Sequence, residues 1–191
     1  MADDKITALA HAVEKLEKEV TYLRDLEEIR KAIYGYARGF DRVDESLLNQ
    51  VYHDDAFDNH GNWHGDRDQT LKILLEKGRS GRVQNAMHHL GNMLIDLKGD
   101  VAHVETYFVS YAKYAEGGKT YTRSRAGRYL DRFEKRDGRW RVKNRQVVDD
   151  WSRIDEVVAF CPDAGKNEAP SRRDSSDASY RLEGYMADWA R

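Results

Sequence analysis

The sequence contains little cysteine, little proline and no long apolar run. Its 191 residues include one cysteine, Cys161, and two prolines, Pro162 and Pro170. A single cysteine excludes a disulfide within the chain, which favours a reducing compartment and predicts a cytoplasmic protein. No stretch approaches the roughly 20 apolar residues of a membrane-spanning helix, and no basic segment precedes an apolar one at the N-terminus. We therefore expect neither a membrane segment nor a signal peptide.

The chain also lacks an excess of either charge. Its 32 basic and 34 acidic side chains give a net charge of -2, so composition offers no argument for a nucleic-acid partner. A glycine-rich phosphate loop, a dinucleotide fingerprint and a Gly-x-Ser-x-Gly nucleophile turn are likewise missing. We expect no cofactor, and the length suits one domain with extensions.

Helical periodicity dominates the beginning of the chain. Residues 3–24 contain no glycine or proline, and apolar side chains recur at steps of three and four: Ile6, Leu9, Val13, Leu16, Val20 and Leu23. This spacing is the a/d stripe of a heptad repeat. Two interpretations stay open for residues 1–25, an amphipathic helix lying on its own domain or a helix that joins copies of the chain.

Helices followed by strands are predicted for the central region. Further helices are expected at about 26–43, 45–52 and 68–77. Four strands are expected at 84–97, 101–115, 119–135 and 139–153. Short turns between strands predict an antiparallel meander, and helices before a meander give an α+β fold. We expect residues 26–155 to form a cone-shaped α+β barrel, with helices packed in a curved antiparallel sheet around a pocket.

Beyond Phe160 the sequence becomes polar. Residues 171–179 are rich in serine, arginine and aspartate, which predicts a flexible tail over 156–191. The tail is expected to end in a short helix that docks on the domain or on a neighbour. Its apolar side chains would be Tyr180, Tyr185, Met186 and Trp189.

Asp41 and the pair His88-His89 are the first candidates for chemistry. Asp41 ends the second predicted helix, where the helix dipole disfavours a negative charge, so a partner would explain it better than helix stability. Because side chains alternate across a strand, only one of the two histidines can face the interior. An aspartate beside that histidine would leave its other ring nitrogen as a base near neutral pH. The alternative is a solvated aspartate and a structural histidine.

Tyr36 and Arg145 are the next candidates. Tyr36 lies on the apolar stripe of its helix, so its hydroxyl should point inward, toward a substrate oxygen or toward a backbone partner. An inward Arg145 must find an anion or a polar partner, and it could stabilise an oxyanion or a leaving group. An outward, solvated arginine is the alternative.

The segment from His53 to His64 is rich in side chains that bind metals. They are His53, Asp54, Asp55, Asp58, His60 and His64. Their spacing is not that of a zinc site, and the glycines at 61 and 65 break any helix that would align His60 with His64. We predict no metal site.

Taken together, these residues resemble the SnoaL-like branch of the nuclear transport factor 2-like superfamily. The resemblance covers about residues 26–151 and depends on the order and spacing of four segments. They are Leu26 to Asp41, Tyr52 to Ala56, Met87 to Asn92 with 99–102, and Phe133 to Trp140. Relatives include scytalone dehydratase, a bile-acid dehydratase, a hexachlorocyclohexane dehydrochlorinase and a diarylpropane lyase that releases formaldehyde. Isomerases, cyclases and binding proteins share the fold, so fold alone does not decide function.

The resemblance also implies roles for residues. Asp41 corresponds to the aspartate of an Asp-His dyad in which histidine is the base. Counting back from Asn92 favours His88 as its partner, whereas an ungapped count from Asp41 favours His89. The second aspartate of the bile-acid dehydratase has no match between Tyr107 and Tyr114.

Two further residues match active-site positions of these relatives. Tyr36 corresponds to a tyrosine of the bile-acid dehydratase and a lysine of the dehydrochlorinase, and Arg145 to an arginine that assists a leaving anion. The residues expected to bind substrate are Tyr52, Asn92, Tyr107 and Tyr111. The resemblance thus implies a cofactor-independent lyase that eliminates water or a small molecule, or releases formaldehyde in a retro-aldol-like step.

The expected substrate is hydrophobic and aromatic. A non-catalytic small-molecule-binding module, or an isomerase or cyclase of the same fold, is the alternative. Because related lyases are often trimers and the heptad stripe offers a contact, we expect a homo-oligomer, with a trimer favoured.

Overall fold

The computed structural model describes residues 2–158 and 171–181. The helices are α1 (Ala2–Arg42), α2 (Glu45–Val51) and α3 (Arg67–Arg79), and a 3-10 turn covers Ala178–Arg181. The strands are β1 (Tyr52–Asn59), β2 (His64–Asp66), β3 (Val83–Lys98), β4 (Val101–Glu116), β5 (Lys119–Arg136) and β6 (Arg139–Glu156). They form one sheet in the order β2-β1-β6-β5-β4-β3, antiparallel except for β1 beside β6. The predicted α+β cone is confirmed, and its sheet is open.

Strands β3 to β6 form the predicted meander, and one of its irregularities, in β3, affects the site. The β3–β4 turn places Gly99 at φ 58°, a left-handed conformation that glycine adopts without steric cost. A bulge between Leu90 and Met93 shifts the pairing of β3 with β4. Because a bulge inserts one extra residue, the inward positions change from even to odd numbers. His88 and Leu90 therefore face inward before the bulge, and Met93 does so after it.

Helix α1 runs without interruption where two separate helices were predicted. Residues 24–26 contain no glycine or proline, so nothing in the local sequence ends the helix there. Asp25 is buried, and its carboxylate accepts a hydrogen bond from Lys135 Nζ at 2.6 Å. This ion pair marks the point at which α1 reaches the sheet.

The heptad stripe of α1 extends beyond its own domain. The exposed fractions of Ile6, Leu9 and Leu16 are 65%, 65% and 58%. The stripe is therefore not packed on residues 2–158 or 171–181, although other faces of the helix, from Glu14 to Asp25, line a groove with Leu97 and Gly99. A contact between copies stays a prediction. Although α1 is long, neither it nor the other described helices have an apolar run that could cross a membrane.

The core lies between the helices and the concave face of the sheet. Ile29 and Ile33 of α1 are fully buried against Phe133 and Val142 of the sheet. Gly39 allows α2 to approach α1, because a Cβ atom at this position would lie 2.8 Å from the Leu48 side chain. The C-terminal turn of α1 is thereby held in place.

The segment 171–181 is docked on the domain, which corrects the prediction of a flexible tail for these residues. Arg173 donates to four backbone carbonyl oxygens at 2.8–3.4 Å, including those of Phe40 and Asp41. Since the last carbonyls of a helix have no partner within it, this guanidinium caps α1 and offsets the negative end of its dipole. The rest of the predicted terminal helix, with Tyr185, Met186 and Trp189, lies outside the described residues.

Candidate active site

Asp41 and His88 meet where the end of α1 faces β3. The Asp41 Oδ1 atom lies 2.7 Å from His88 Nδ1, and Oδ2 accepts a hydrogen bond from the backbone N–H of His88 at 2.8 Å. Both side chains are almost buried, with exposed fractions of 12% and 9%. The backbone hydrogen bond fixes the carboxylate on the strand, so Oδ1 stays directed at the imidazole. A proton on Nδ1 leaves Nε2 free.

His89 points to the opposite face of the sheet. Its side chain is exposed, and its ring centre lies 5.8 Å from that of Tyr111. Alternation along β3 accounts for this placement. Of the two histidines left open by the sequence, the geometry brings only His88 to Asp41.

A second Asp-His pair lies beside Tyr36. His60 Nδ1 is 2.6 Å from Asp58 Oδ1, and the Tyr36 hydroxyl is 3.1 Å from His60 Nε2. Tyr52 donates to the other oxygen of Asp58 at 2.6 Å, and all four residues are buried. From the sequence, Asp58 and His60 stand out only as metal-binding types without metal spacing. The signal for the pair is their separation by two residues at the end of a strand, which places both on one face.

The buried network connects the Tyr36 hydroxyl to His60. Burial lowers the pKa of His60, and the opposing effect of Asp58 is smaller. A neutral His60 that donates from Nδ1 to Asp58 presents the Nε2 lone pair to the Tyr36 hydroxyl. Burial also raises the pKa of Tyr36, against the charge of Arg145. Tyr36 thus stays protonated at rest, with a partner that can share its proton.

Arg145 points inward and forms an ion pair with the carboxylate of Asp131. Its Nε and Nη2 atoms each donate to Asp131 at 2.7 Å, and both side chains are fully buried. The guanidinium lies 4.2 Å from the ring centre of Tyr36 and 4.4 Å from that of Tyr129. The Arg145 guanidinium therefore packs against the ring of Tyr36. Asp131 could not be found from the sequence, because its partner is the residue opposite it on the neighbouring strand.

His88, His60 and Tyr36 line one cavity of ≈ 620 Å³. Its walls include aromatic rings, among them Phe40, whose edge meets the His88 ring with centres 5.5 Å apart. Trp63 stacks on His60 at 4.0 Å between ring centres. The cavity is thus apolar and aromatic around two histidines, a setting that suits a small aromatic ligand.

The four predicted substrate-binding residues do not lie together at the cavity. Tyr111 borders the cavity, but 45% of its surface is exposed and its ring lies on the outer face beside His89. Tyr52 is buried behind the wall, and Tyr107 lies on the outer face because Thr106 and Phe108 point inward. Asn92 is exposed at the bulge of β3, which turns it away from the cavity.

The side chains between His53 and His64 are engaged in other contacts. His53 Nε2 lies 2.9 Å from the carbonyl oxygen of Glu134, and Asp55 accepts hydrogen bonds from Arg136. Within residues 2–158 and 171–181, no three histidine, cysteine or acidic side chains converge as metal ligands.

The chain belongs to the SnoaL-like domain family, which matches residues 21–146. Similar solved structures share its fold, among them one named as a nuclear transport factor 2-like superfamily protein. A candidate scytalone dehydratase from Novosphingobium aromaticivorans has a TM-score of 0.63 and 23% identity, covering 78% of this chain and 99% of that chain.

Two other structures share the fold. A hexachlorocyclohexane dehydrochlorinase has a TM-score of 0.66 and 17% identity, covering 76% of this chain and 99% of that chain. A nuclear transport factor 2-like superfamily protein from Salmonella enterica has a TM-score of 0.58 and 17% identity, covering 74% of this chain and 96% of that chain. No curated protein matches the sequence. At these identities the likeness shows the fold.

Replacing His60 by glutamine should reduce the loss of stability in acid. Because burial holds the pKa of folded His60 below its ordinary 6.5, the unfolded chain binds a proton first. Stability should therefore fall as the pH drops below about 6.5, until the folded pKa is passed. Urea unfolding can be compared at test pH values of 7.5 and 5. The free energy of unfolding should fall less between them for His60→Gln than for wild type. The exposed His64→Gln is the control, and identical pH profiles for His60→Gln and wild type would contradict the assignment.

Proposed function

We propose that the protein is a cofactor-independent lyase in which the Asp41–His88 dyad is the base. The observation that carries this proposal is the 2.7 Å contact between Asp41 Oδ1 and His88 Nδ1, which leaves Nε2 available in an aromatic cavity. Two proteins of the same fold, the candidate scytalone dehydratase and the dehydrochlorinase, bear the names of elimination enzymes. We infer a hydrophobic aromatic substrate and a place in the cytoplasmic breakdown of aromatic compounds.

An elimination follows from the arrangement in one step. His88 Nε2 takes a proton from a substrate carbon, and the electron pair of that C–H bond forms a new double bond. The group on the adjacent carbon departs, and a hydroxyl leaves as water with the proton of Tyr36. Asp41 stabilises the imidazolium, and the guanidinium of Arg145, 4.2 Å from the Tyr36 ring centre, stabilises the tyrosinate. Transfer of the proton from the His88 imidazolium to the tyrosinate through solvent restores both groups.

Release of formaldehyde uses the same groups in the opposite direction. Tyr36 accepts the proton of a substrate hydroxymethyl group and passes its own proton to His60. The C–C bond breaks as the C=O bond of formaldehyde forms, and His88 in its imidazolium form protonates the carbon or the departing group. Both reactions need one proton acceptor and one donor on the same cavity. His88 and Tyr36 fill these roles in the elimination, and Tyr36 with His60 and then His88 fill them in the release of formaldehyde.

Substitution of either dyad residue should slow turnover strongly without unfolding the protein. Asp41→Asn and His88→Gln should each lower the rate by about 10²–10⁴-fold, the usual contribution of a general base. His89→Gln is the matched control, since its side chain lies on the outer face. The assay is a mass-spectrometric screen against aromatic dimers and alicyclic alcohols, with folding checked by circular dichroism.

The products separate the candidate functions. A product lighter by water or formaldehyde supports the lyase, and a product of unchanged mass indicates an isomerase or cyclase. A ligand that is bound and never transformed indicates a binding module. Full activity of His88→Gln would contradict the proposal.

We also infer that copies of the chain associate, with a trimer favoured. The exposed heptad stripe of α1 has the 3.5-residue period that pairs one helix with another. Light scattering should give wild type a mass of several chains, and Leu9→Lys combined with Leu16→Lys should lower it. Thr7→Lys combined with Thr21→Lys adds the same charge off the stripe and should not. A wild-type mass of one chain would contradict association.

A further inference from the structure

One part of the cavity wall is basic. Beyond the histidines, the described lining residues include four cations and one carboxylate, that of Glu76. The cations are Lys77, Arg82, Arg123 and Arg125. Glu76 is exposed and lies 3.9 Å from Lys72, which is outside the lining. A concave apolar surface lined by one sign of charge attracts ligands of the opposite sign.

Two of these cations are already neutralised. Arg82 donates to Glu116 at 2.6 Å, and Arg125 donates to Asp149. Lys77 and Arg123 have no carboxylate partner among residues 2–158 and 171–181. The excess positive charge of the cavity therefore resides on Lys77 and Arg123.

Lys77 is held at the cavity by Trp63. Its Nζ atom lies 4.8 Å from the Trp63 ring centre, and the same ring stacks on His60. Partial burial of the ammonium, followed by the charges of Arg125 and Arg123, lowers the pKa of Lys77. The neighbouring cations thus destabilise its charge, and a bound anion would relieve that repulsion.

Arg123 reaches the cavity from the sheet. It pairs in register with Ala112 of β4, and both residues line the cavity. Trp63 lies between the two ends, in contact with His60 and with Lys77. An aromatic ligand beside Trp63 would therefore extend from the histidines to these cations.

We propose that the substrate is an aromatic acid whose carboxylate is bound by Lys77 and Arg123 while its reacting atoms face His88. This substrate class rests on the proposed lyase function for the orientation of the ligand. The carboxylate supplies the counter-charge that the cavity lacks. It also selects one of the two directions in which an elongated aromatic molecule can enter.

Binding of a carboxylate probe and its neutral counterpart tests this proposal without turnover. Isothermal titration calorimetry with the full chain would compare biphenyl-4-carboxylate with biphenyl-4-carboxamide. Wild type should bind the carboxylate at least about tenfold more tightly, a preference equal to about 1.4 kcal/mol. Lys77→Gln combined with Arg123→Gln should abolish that preference, and raised salt should weaken it.

Two controls separate this result from the catalytic proposal. Lys98→Gln, on the β3–β4 turn, should retain the full preference for the carboxylate. His88→Gln should also retain it, because the dyad acts on the other end of the ligand. Equal affinity for the two probes, no binding of either, or an unchanged preference in the double variant would overturn the inference.

Discussion

The arrangement depends on the pair of hydrogen bonds that His88 makes to the Asp41 carboxylate. The bond from the backbone N–H fixes the acid on β3, and the bond from Nδ1 fixes the tautomer of the ring. The same carboxylate stands at the negative end of α1, an unfavourable place for it. Arg173 offsets that cost by capping the last carbonyls of the helix. Fold and chemistry therefore share one structural feature, the junction of α1 with β3.

A second set of buried charged and polar groups holds Tyr36 between His60 and His88. His60 holds the tyrosine hydroxyl, and Arg145, neutralised by Asp131, lies against its ring. Burying an ion pair costs desolvation energy. Apolar residues of similar size would often stabilise the core at least as much as the pair does. We interpret the pair as a device that places a cation beside a tyrosine whose charge would change in the proposed reaction. The proposed site thus combines a base, a donor and a fixed field within one aromatic cavity.

Local patterns in the sequence were sufficient for most of the fold, and contacts between distant segments were not predictable. The meander follows from turn residues such as Gly99, whose effect on the chain is local. The choice between His88 and His89 depends on the register and bulge of β3, and a residue count cannot locate a bulge. Asp131 becomes meaningful only when β5 and β6 pair, which places it opposite Arg145. Likewise, a polar tail gives no sign that one of its arginines caps a helix more than 100 residues away.

The most direct test of the account is the protonation state of the His88 ring, measured by ¹⁵N NMR on selectively labelled protein. For the neutral imidazole we predict a proton on Nδ1 and a bare Nε2 nitrogen, and a loss of this preference in Asp41→Asn. A ring that carries its proton on Nε2, or one that averages both tautomers as a free imidazole does, would contradict the claim that Asp41 prepares His88 as the base.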